Sequence, residues 1–392
     1  MKAVTVAWYI VQVIIGYNLV MPLFLYVIYL MKKKDPAQHP VSVQEADYAI
    51  IVTAYEQTTM LPEVVNSILK MNYRNFLVYI VADKCDISRL RFPSDKVLVL
   101  RPVETLASNT RSHFYAIRHF KRPHERLTII DSDNLVHPEY LNQLNKQFDA
   151  GYQAVQGIRA AKNLNTTYAC LDAARDIYYH FYDGKILFQA GSSATLAGSG
   201  MAFTTKLYQD SIGHLDITGA GFDKVLQYHI VTKGLQIAFS EQAIVYDEKT
   251  ANTDQLVKQR ARWINTWFRY FSYGFTLAGK GLSGLDRNMF LFGLVLLRPP
   301  LFIFLFLSVL FAAINLWIAP LVAAVWVTGI LLFIISFMLA LRKSDTDRRI
   351  YSSLPNVPKF MFYQILSLLK IRKANKYSVA TRHFYEKSAD SI

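Results

Sequence analysis

Leu127-Thr128-Ile129-Ile130-Asp131-Ser132-Asp133 is the stretch that decides the fold. A short β-branched run with no polar alternation reads as a strand buried on both faces, the signature of a parallel sheet covered by helices. Tyr48–Ala54 (YAIIVTA), Phe76–Ala82 (FLVYIVA) and Val97–Leu100 (VLVL) have the same character. Helical patterns lie between them at Pro62–Met71, with proline in the first turn, and at Thr110–Phe120. This βαβα order predicts an α/β fold: an open, mostly parallel sheet with helices on both faces. Ligands of such sheets bind beyond the carboxyl ends of the strands. Thr53 and Glu56 follow the first strand, Asp83 the second, and Asp131 and Asp133 the run quoted above. An isolated Asp-x-Asp triplet is most often a solvated turn or a helix cap. Here the preceding strand delivers it to the ligand-binding edge, where carboxylates can hold Mg²⁺ or Mn²⁺.

Outside this region the chain changes character. Residues Ala3 to Met31 carry no charge and end at Lys32-Lys33-Lys34. As a helix they would be about 43 Å long, enough to cross a ~30 Å hydrocarbon core. The basic cluster follows the apolar run, so an uncleaved anchor is expected in place of a signal peptide. A second apolar region begins near Met289, and Pro299 to Leu341 contains no charged residue, room for two more spans with a turn at Asn315–Pro320. Arg298 stands at its entry, either snorkelling or facing a polar interior.

Lys32–Lys34 and Arg342–Arg349 then fall on one side, and the turn between the last two spans carries no Lys or Arg, so the positive-inside rule puts the intervening domain and the tail in the cytoplasm. The organisation expected is an anchor (1–34), a cytoplasmic domain (35–285), a two-helix hairpin (286–343) and a basic tail (344–392), in an integral protein of a bacterial inner membrane. In the tail, Lys359 to Lys373 mixes apolar and basic residues and reads equally well as an interfacial helix or as one packed on the domain.

The formal charge of +14 lies largely beside the apolar segments. No RRM, helix-turn-helix or zinc-finger signature accompanies it, so lipid headgroups and not nucleic acid are the expected partner. Two cysteines, Cys85 and Cys170, provide neither a disulfide framework nor a metal-ligand spacing.

Three further stretches can carry chemistry. Gly198-Ser199-Gly200-Met201 is a plain turn or a loop that lets substrate approach the backbone. Gly219-Ala220-Gly221-Phe222-Asp223-Lys224 opens a helical run, and Asp223 in its first turn suits the helix dipole or a reaction. Gln259, Arg262 and Trp263 share roughly one helical face, with a planar cation for phosphate and a flat ring for a sugar. A basic aromatic helix at a membrane interface would look the same, and Trp267, Phe268, Arg269, Tyr270 and Phe271 extend that pattern.

Together and in this order, Asp83, Asp131-Ser132-Asp133, Asp223 and Gln259-x-x-Arg262-Trp263 resemble the family 2 glycosyltransferases of GT-A fold, the group that contains cellulose, chitin and hyaluronan synthases. The resemblance spans about residues 46–275. It implies that Thr53, Glu56 and Asp83 line the nucleotide pocket and that Asp131 and Asp133 serve the metal, Mg²⁺ or Mn²⁺, with Asp133 the more direct ligand. It further implies that Gln259 and Arg262 hold the donor diphosphate, that Trp263 meets the acceptor sugar with Gly200 and Met201 nearby, and that Asp223 is the general base. The chain departs from the family in having Gly221-Phe222-Asp223 where Thr-Glu-Asp is common, and Asn109 where many members have Lys, with Arg111 close by. The implied reaction is inverting transfer from a nucleotide sugar, a UDP-hexose or UDP-N-acetylhexosamine, to a glycan or lipid-linked acceptor. A polymer-exporting synthase and a non-catalytic nucleotide-sugar-binding scaffold are the other readings.

Overall fold

The computed structural model describes residues 2–32, 45–251, 253–366 and 368. One eight-stranded sheet runs in the order β3-β2-β1-β4-β7-β6-β8-β5. Its strands are β1 (Tyr48–Tyr55), β2 (Phe76–Asp83), β3 (Val97–Leu100), β4 (Arg126–Asp131), β5 (Leu135–Val136), β6 (Ala154–Ala161), β7 (Met201–Thr204) and β8 (Ile237–Asp247). The four strands read from sequence form the parallel half, β3-β2-β1-β4. The other half is mixed: β7 runs antiparallel to both β4 and β6, while β6 and β8 are parallel.

Helices α2 (Leu61–Leu69), α3 (Asn109–Arg118) and α4 (Tyr140–Asp149) cover the parallel half. Ile50, Val52, Val78 and Ile80 pack on α2 and α4, whereas Ile51, Tyr79, Val81 and Ile129 belong to the larger core on the opposite face. This two-sided burial is what removed polar alternation from β1, β2 and β4.

Beyond β6 come α5 (Thr167–Tyr179), a π-helical stretch (His180–Ile186) and the short α6 (Leu187–Gln189). After β7 follow α7 (Thr205–Ile212) and α8 (Phe222–Thr232), and after β8 follow α9 (Thr253–Tyr270), α10 (Ser272–Ser283) and α11 (Arg287–Leu297). Cys85 and Cys170 are free and buried.

Among the described residues three helices are long and apolar enough to cross a membrane: α1 (Lys2–Met31), α12 (Leu301–Ile318) and α13 (Pro320–Lys343). They pack together. Gly16 lies against Trp326 and Gly329 against Leu19, so α1 and α13 run in the same direction and Met31 and Lys343 emerge at the same end. That end meets the sheet domain through the π-helical stretch, where Tyr26 packs on Phe181 and the Tyr182 hydroxyl donates to Ser336 O at 2.9 Å. Asn315 does not begin the turn expected at Asn315–Pro320. It is fully buried within α12, where its Nδ2 donates to Gln12 Oε1 and to Phe311 O; only Ala319 separates α12 from α13. Arg298 faces the protein interior and pairs with Asp183 of the π-helical stretch.

The tail continues as α14 (Arg348–Ser353), a 3₁₀ turn and α15 (Val357–Leu366). Phe360 of α15 is buried against Leu171 and Leu256, while Phe362 stays exposed. Up to Leu366 this helix therefore packs on the domain through one face; most of the remainder of Lys359–Lys373 lies outside the described residues.

Gln12 Oε1 accepts from both Asn315 Nδ2 and Trp326 Nε1, each at 2.7 Å, which ties α1 to the hairpin in apolar surroundings. Gln12→Leu leaves both donors without that acceptor and should cost about 1–2 kcal/mol. The expected observation is a lower unfolding midpoint in detergent; an unchanged midpoint would show that apolar packing alone holds the three helices.

Candidate active site

The parallel register sets three strand exits side by side. Thr53 pairs with Asp131 across β1 and β4, and Tyr55 pairs with Asp83 across β1 and β2. Asp83 is buried, and its two carboxylate oxygens accept from Leu106 N at 3.0 Å and Ala107 N at 2.7 Å. It thereby fixes the loop after β3, in which Ala107 is held at a φ of 46°. Glu56 and Lys84, at the exits of β1 and β2, also have positive φ values, 58° and 54°. For side chains other than glycine this conformation is unfavourable, and such residues concentrate at functional edges. Glu56 itself is on the surface, 2.7 Å from Lys84, whose ammonium group holds its carboxyl below the ordinary range.

From the β3 loop the contacts lead round to Asp223. The hydroxyls of Ser108 and Thr110 both donate to Ile217 O, at 2.7 and 2.9 Å. Arg111 forms a two-pronged pair with Asp216 at 2.8 and 2.6 Å. The segment then turns through Gly219 and Gly221, both left-handed, into α8. Glycine is required at 221 twice over: its φ is 101°, and a Cβ there would lie 2.6 Å from Thr266 and Tyr270 of α9. This close approach seats the first turn of α8, with Asp223, against the helix that carries Arg262 and Trp263. Lys224 contacts Asp223 at 3.0 Å and donates to Leu196 O at 3.0 Å.

Loop 196–200 closes the circuit. Its Ser199 hydroxyl accepts from Asp131 N at 3.1 Å and from Asn134 Nδ2 at 2.8 Å. Gln156, a buried residue of β6, accepts from Ala197 N and donates to Ser199 O. Arg159 donates to Ala197 O at 2.8 Å and pairs with Asp247 at 2.5 Å. Asp83, Asp131 and Asp223 are thus linked, through the loop after β3, the 217–221 turn and loop 196–200, by a continuous chain of contacts that starts from the carboxyl ends of β2 and β4. Asp133 is buried, and its carbonyl accepts from Lys162 Nζ.

Two carboxylates, Asp131 and Asp133, can serve a cation here, and no group of three or more His, Cys, Asp or Glu able to hold a metal occurs among the described residues. That donor set fits Mg²⁺ or Mn²⁺, since hard cations of this kind are commonly held by one or two carboxylates plus substrate phosphates and water.

Helix α9 is joined to α5 and the end of β8 by a charged lattice that sequence spacing does not reveal. Gln259 Oε1 accepts from Thr250 Oγ1 at 3.0 Å. Lys249 pairs with Asp176 at 2.6 Å and with Asp247 at 3.1 Å. Asp172 receives Arg175 at 3.0 Å and also Arg260. The guanidinium carbons of Arg175 and Arg260 lie 4.2 and 4.0 Å from the centre of the Trp263 ring, which remains 37% exposed. Arg262 is partly buried, and desolvation lowers its guanidinium from the ordinary value. Of the acceptor-side residues, Gly200 lies at the loop's end against Val245, but the Met201 side chain is fully buried in the core beneath it. A substrate could meet Met201 only through its backbone.

The fold is of the GT-A type. A family model described as "Glycosyltransferase like family 2" matches residues 46–266. The chain belongs to that family. Among solved structures it is similar to the mannosyltransferase PcManGT from Pyrobaculum calidifontis, a complex with GDP-Man and Mn²⁺, at 14% identity and a TM-score of 0.51, over 92% of this chain and 98% of that one. It also matches S. aureus TarS in complex with UDP-GlcNAc, at 15% identity and a TM-score of 0.38, over 62% of this chain and 76% of that one. Comparison with curated protein sequences gives no match.

The site also contains a proton linkage. His113 of α3 is buried, hydrogen-bonds Tyr208 at 2.7 Å and packs edge-on against Phe222, the neighbour of Asp223. Burial pushes its imidazole down to about 3. Below pH ~6.5 the unfolded chain takes up a proton that the folded chain refuses, so His113 contributes fully above that pH and its contribution falls as pH drops towards about 3, by roughly 1.4 kcal/mol per unit. Denaturant titrations from pH 7 to 4 should show that dependence, and His113→Asn should flatten it by one proton's share. Equal slopes for the two proteins would contradict the linkage.

Proposed function

We propose that the chain is a membrane-anchored, metal-dependent, inverting glycosyltransferase that moves a sugar from a nucleotide-sugar donor, a UDP-sugar by family resemblance, to a lipid-linked or glycan acceptor. The observation that carries this reading is the closed circuit of hydrogen bonds joining the exits of β1, β2 and β4 to Asp223 through loop 196–200. That linkage supports reading Asp131 and Asp133 as the metal pair and Asp223 as a separate base of one site, which is the minimum equipment for the reaction. The GDP-Man and Mn²⁺ held by the similarly folded mannosyltransferase are consistent with a nucleotide-sugar donor and a divalent ion.

On this reading the nucleotide sits against the exits of β1 and β2, beside Thr53 and the loop that Asp83 holds. A Mg²⁺ or Mn²⁺ ion at Asp131 and Asp133 would neutralise charge on the leaving diphosphate. Arg262 and Gln259 bind the same diphosphate from α9, with the guanidinium fork matched to phosphate oxygens. Asp223 accepts the proton of the acceptor hydroxyl as that oxygen bonds to the anomeric carbon. The bond from that carbon to the diphosphate oxygen breaks, and the nucleoside diphosphate departs. One displacement inverts the anomeric configuration. Lys224 is a positioning residue: its grip on Leu196 O orients the neighbouring base.

We place the domain in the cytoplasm, at the inner membrane of a bacterium. Support comes from the shared emergence of α1 and α13 at the end where the domain docks, together with the basic residues that follow these helices in sequence, Lys32–Lys34 and Arg342–Arg349.

Asp223→Asn should lower kcat by about 10²- to 10⁴-fold with donor affinity nearly unchanged. Asp133→Ala should weaken donor binding in the presence of Mn²⁺ and leave metal-free binding little altered. Turnover on a nucleotide-sugar panel, calorimetry with and without metal, and NMR of the product's anomeric centre read these outcomes. Full activity in Asp133→Ala, or a retained configuration, would refute the scheme.

A further inference from the structure

Between the apolar helices α12 and α13 and the domain helices α5 and α15 is a groove of about 400 Å³. That volume is within the range of small-molecule sites. Its walls come from α12 and α13, which contribute Leu305, Val309, Ile330, Phe333 and Met338, and its floor and lower rim come from α5 and α15. These walls are apolar almost throughout. Two of the lining helices, α12 and α13, are long and apolar enough to cross a membrane, so lipid chains would lie against this groove.

The lining includes one cation, Arg175. Its guanidinium carbon is 4.2 Å from the centre of the Trp263 ring, the residue expected to meet the acceptor. Asp172 and Asp176 hold this guanidinium at 3.0 and 2.5 Å, so it is a fixed feature of the groove and not a roaming surface charge. An apolar groove lined by candidate membrane helices, with one cation beside the residue expected to meet the acceptor, matches the layout of an amphiphile.

We infer that the groove holds the hydrocarbon chain of a lipid phosphate that carries the acceptor group, with its head at Arg175 and Trp263. The inference rests on the glycosyltransferase reading and deepens it, by selecting a lipid-borne acceptor over a soluble glycan. It also accounts for the position of α15, whose Phe360 and Met361 close the groove from the domain side. Bilayer phospholipid is the competing occupant, and it differs in having no reason to be selected over its neighbours.

The test uses the full chain in phosphatidylcholine nanodiscs and a long-chain alkyl phosphate bearing a terminal diazirine. After irradiation, mapped peptides should show adducts concentrated on groove residues of α12, α13 and α15. Unlabelled polyprenyl phosphate should suppress them, and inorganic phosphate should not. Leu305→Trp and Met338→Trp fill the groove from opposite walls and should each weaken the competition by about tenfold. Leu331→Trp, on the exposed face of α13 and outside the groove, should leave the labelling map as it is. Adducts spread evenly over the exposed faces, or adducts that polyprenyl phosphate does not suppress, would overturn the assignment in favour of bulk lipid. Nucleotide release from the donor panel by the same preparation separates the two readings. Release with diffuse labelling removes the groove alone, and no release from any nucleotide sugar removes the enzyme reading beneath it.

Discussion

Loop 196–200 is the constraint on which the placing of the strand-exit acids relative to Asp223 depends. It has little regular structure of its own, yet each side of the site holds it. Gln156 and Arg159 of β6 bond its backbone at Ala197, Gln227 of α8 accepts from Leu196 N, Lys224 takes Leu196 O, and Asp131 N donates to Ser199. Ser199 is fully buried and accepts from two donors, so removing its hydroxyl would strand both at about 1–3 kcal/mol. The loop is therefore a hub of fixed length between the candidate metal acids and the candidate base. Preorganisation of this kind is what a displacement reaction needs, because the electrostatic work must be done before the transition state arrives.

The lattice behind α9 extends the same logic to the helix that carries Gln259, Arg262 and Trp263. Asp172, Asp176 and Asp247 interleave with Arg159, Arg175, Lys249 and Arg260, linking α5, β6, β8 and α9. Buried ion pairs seldom add net stability, but removing one partner typically costs about 3–5 kcal/mol. Their value here is geometric. They fix the orientation of Trp263 by holding two cations against its ring, and they set Gln259 through Thr250. Arg175 of this lattice also lines the apolar groove, so one set of charges joins α9 to the helices that are long enough to cross a membrane.

The parallel half of the sheet was legible because burial on both faces leaves a continuous apolar run, and β1, β2, β3 and β4 all lie within a residue or two of their expected bounds. The acids at their exits were legible for the same reason, since a strand's end is visible when its run stops. The mixed half was not. β7 is four residues long and is held in place by pairing with β4 and β6, partners far away in the chain. Asn315 shows the converse error: asparagine usually marks a turn, but here it is a buried link to Gln12 that only the packing of α1 reveals. Arg159, Gln156 and Arg260 carry no local signal at all, because what they do is defined by residues tens of positions distant. Arg260 sits beside the recognised Gln259 and Arg262, yet only tertiary structure distinguishes the arginine that pairs with Asp172 from its neighbour.

The most direct test of a single shared cleft is the structure of the full chain with a nucleoside diphosphate and Mn²⁺, with the ion placed by its anomalous scattering. A shared cleft predicts Mn²⁺ at carboxylate-ligand distance from Asp133, the diphosphate between it and Arg262, and the nucleoside against the loop that Asp83 holds. Manganese bound elsewhere, or a nucleotide seated away from the carboxyl ends of β1, β2 and β4, would contradict it.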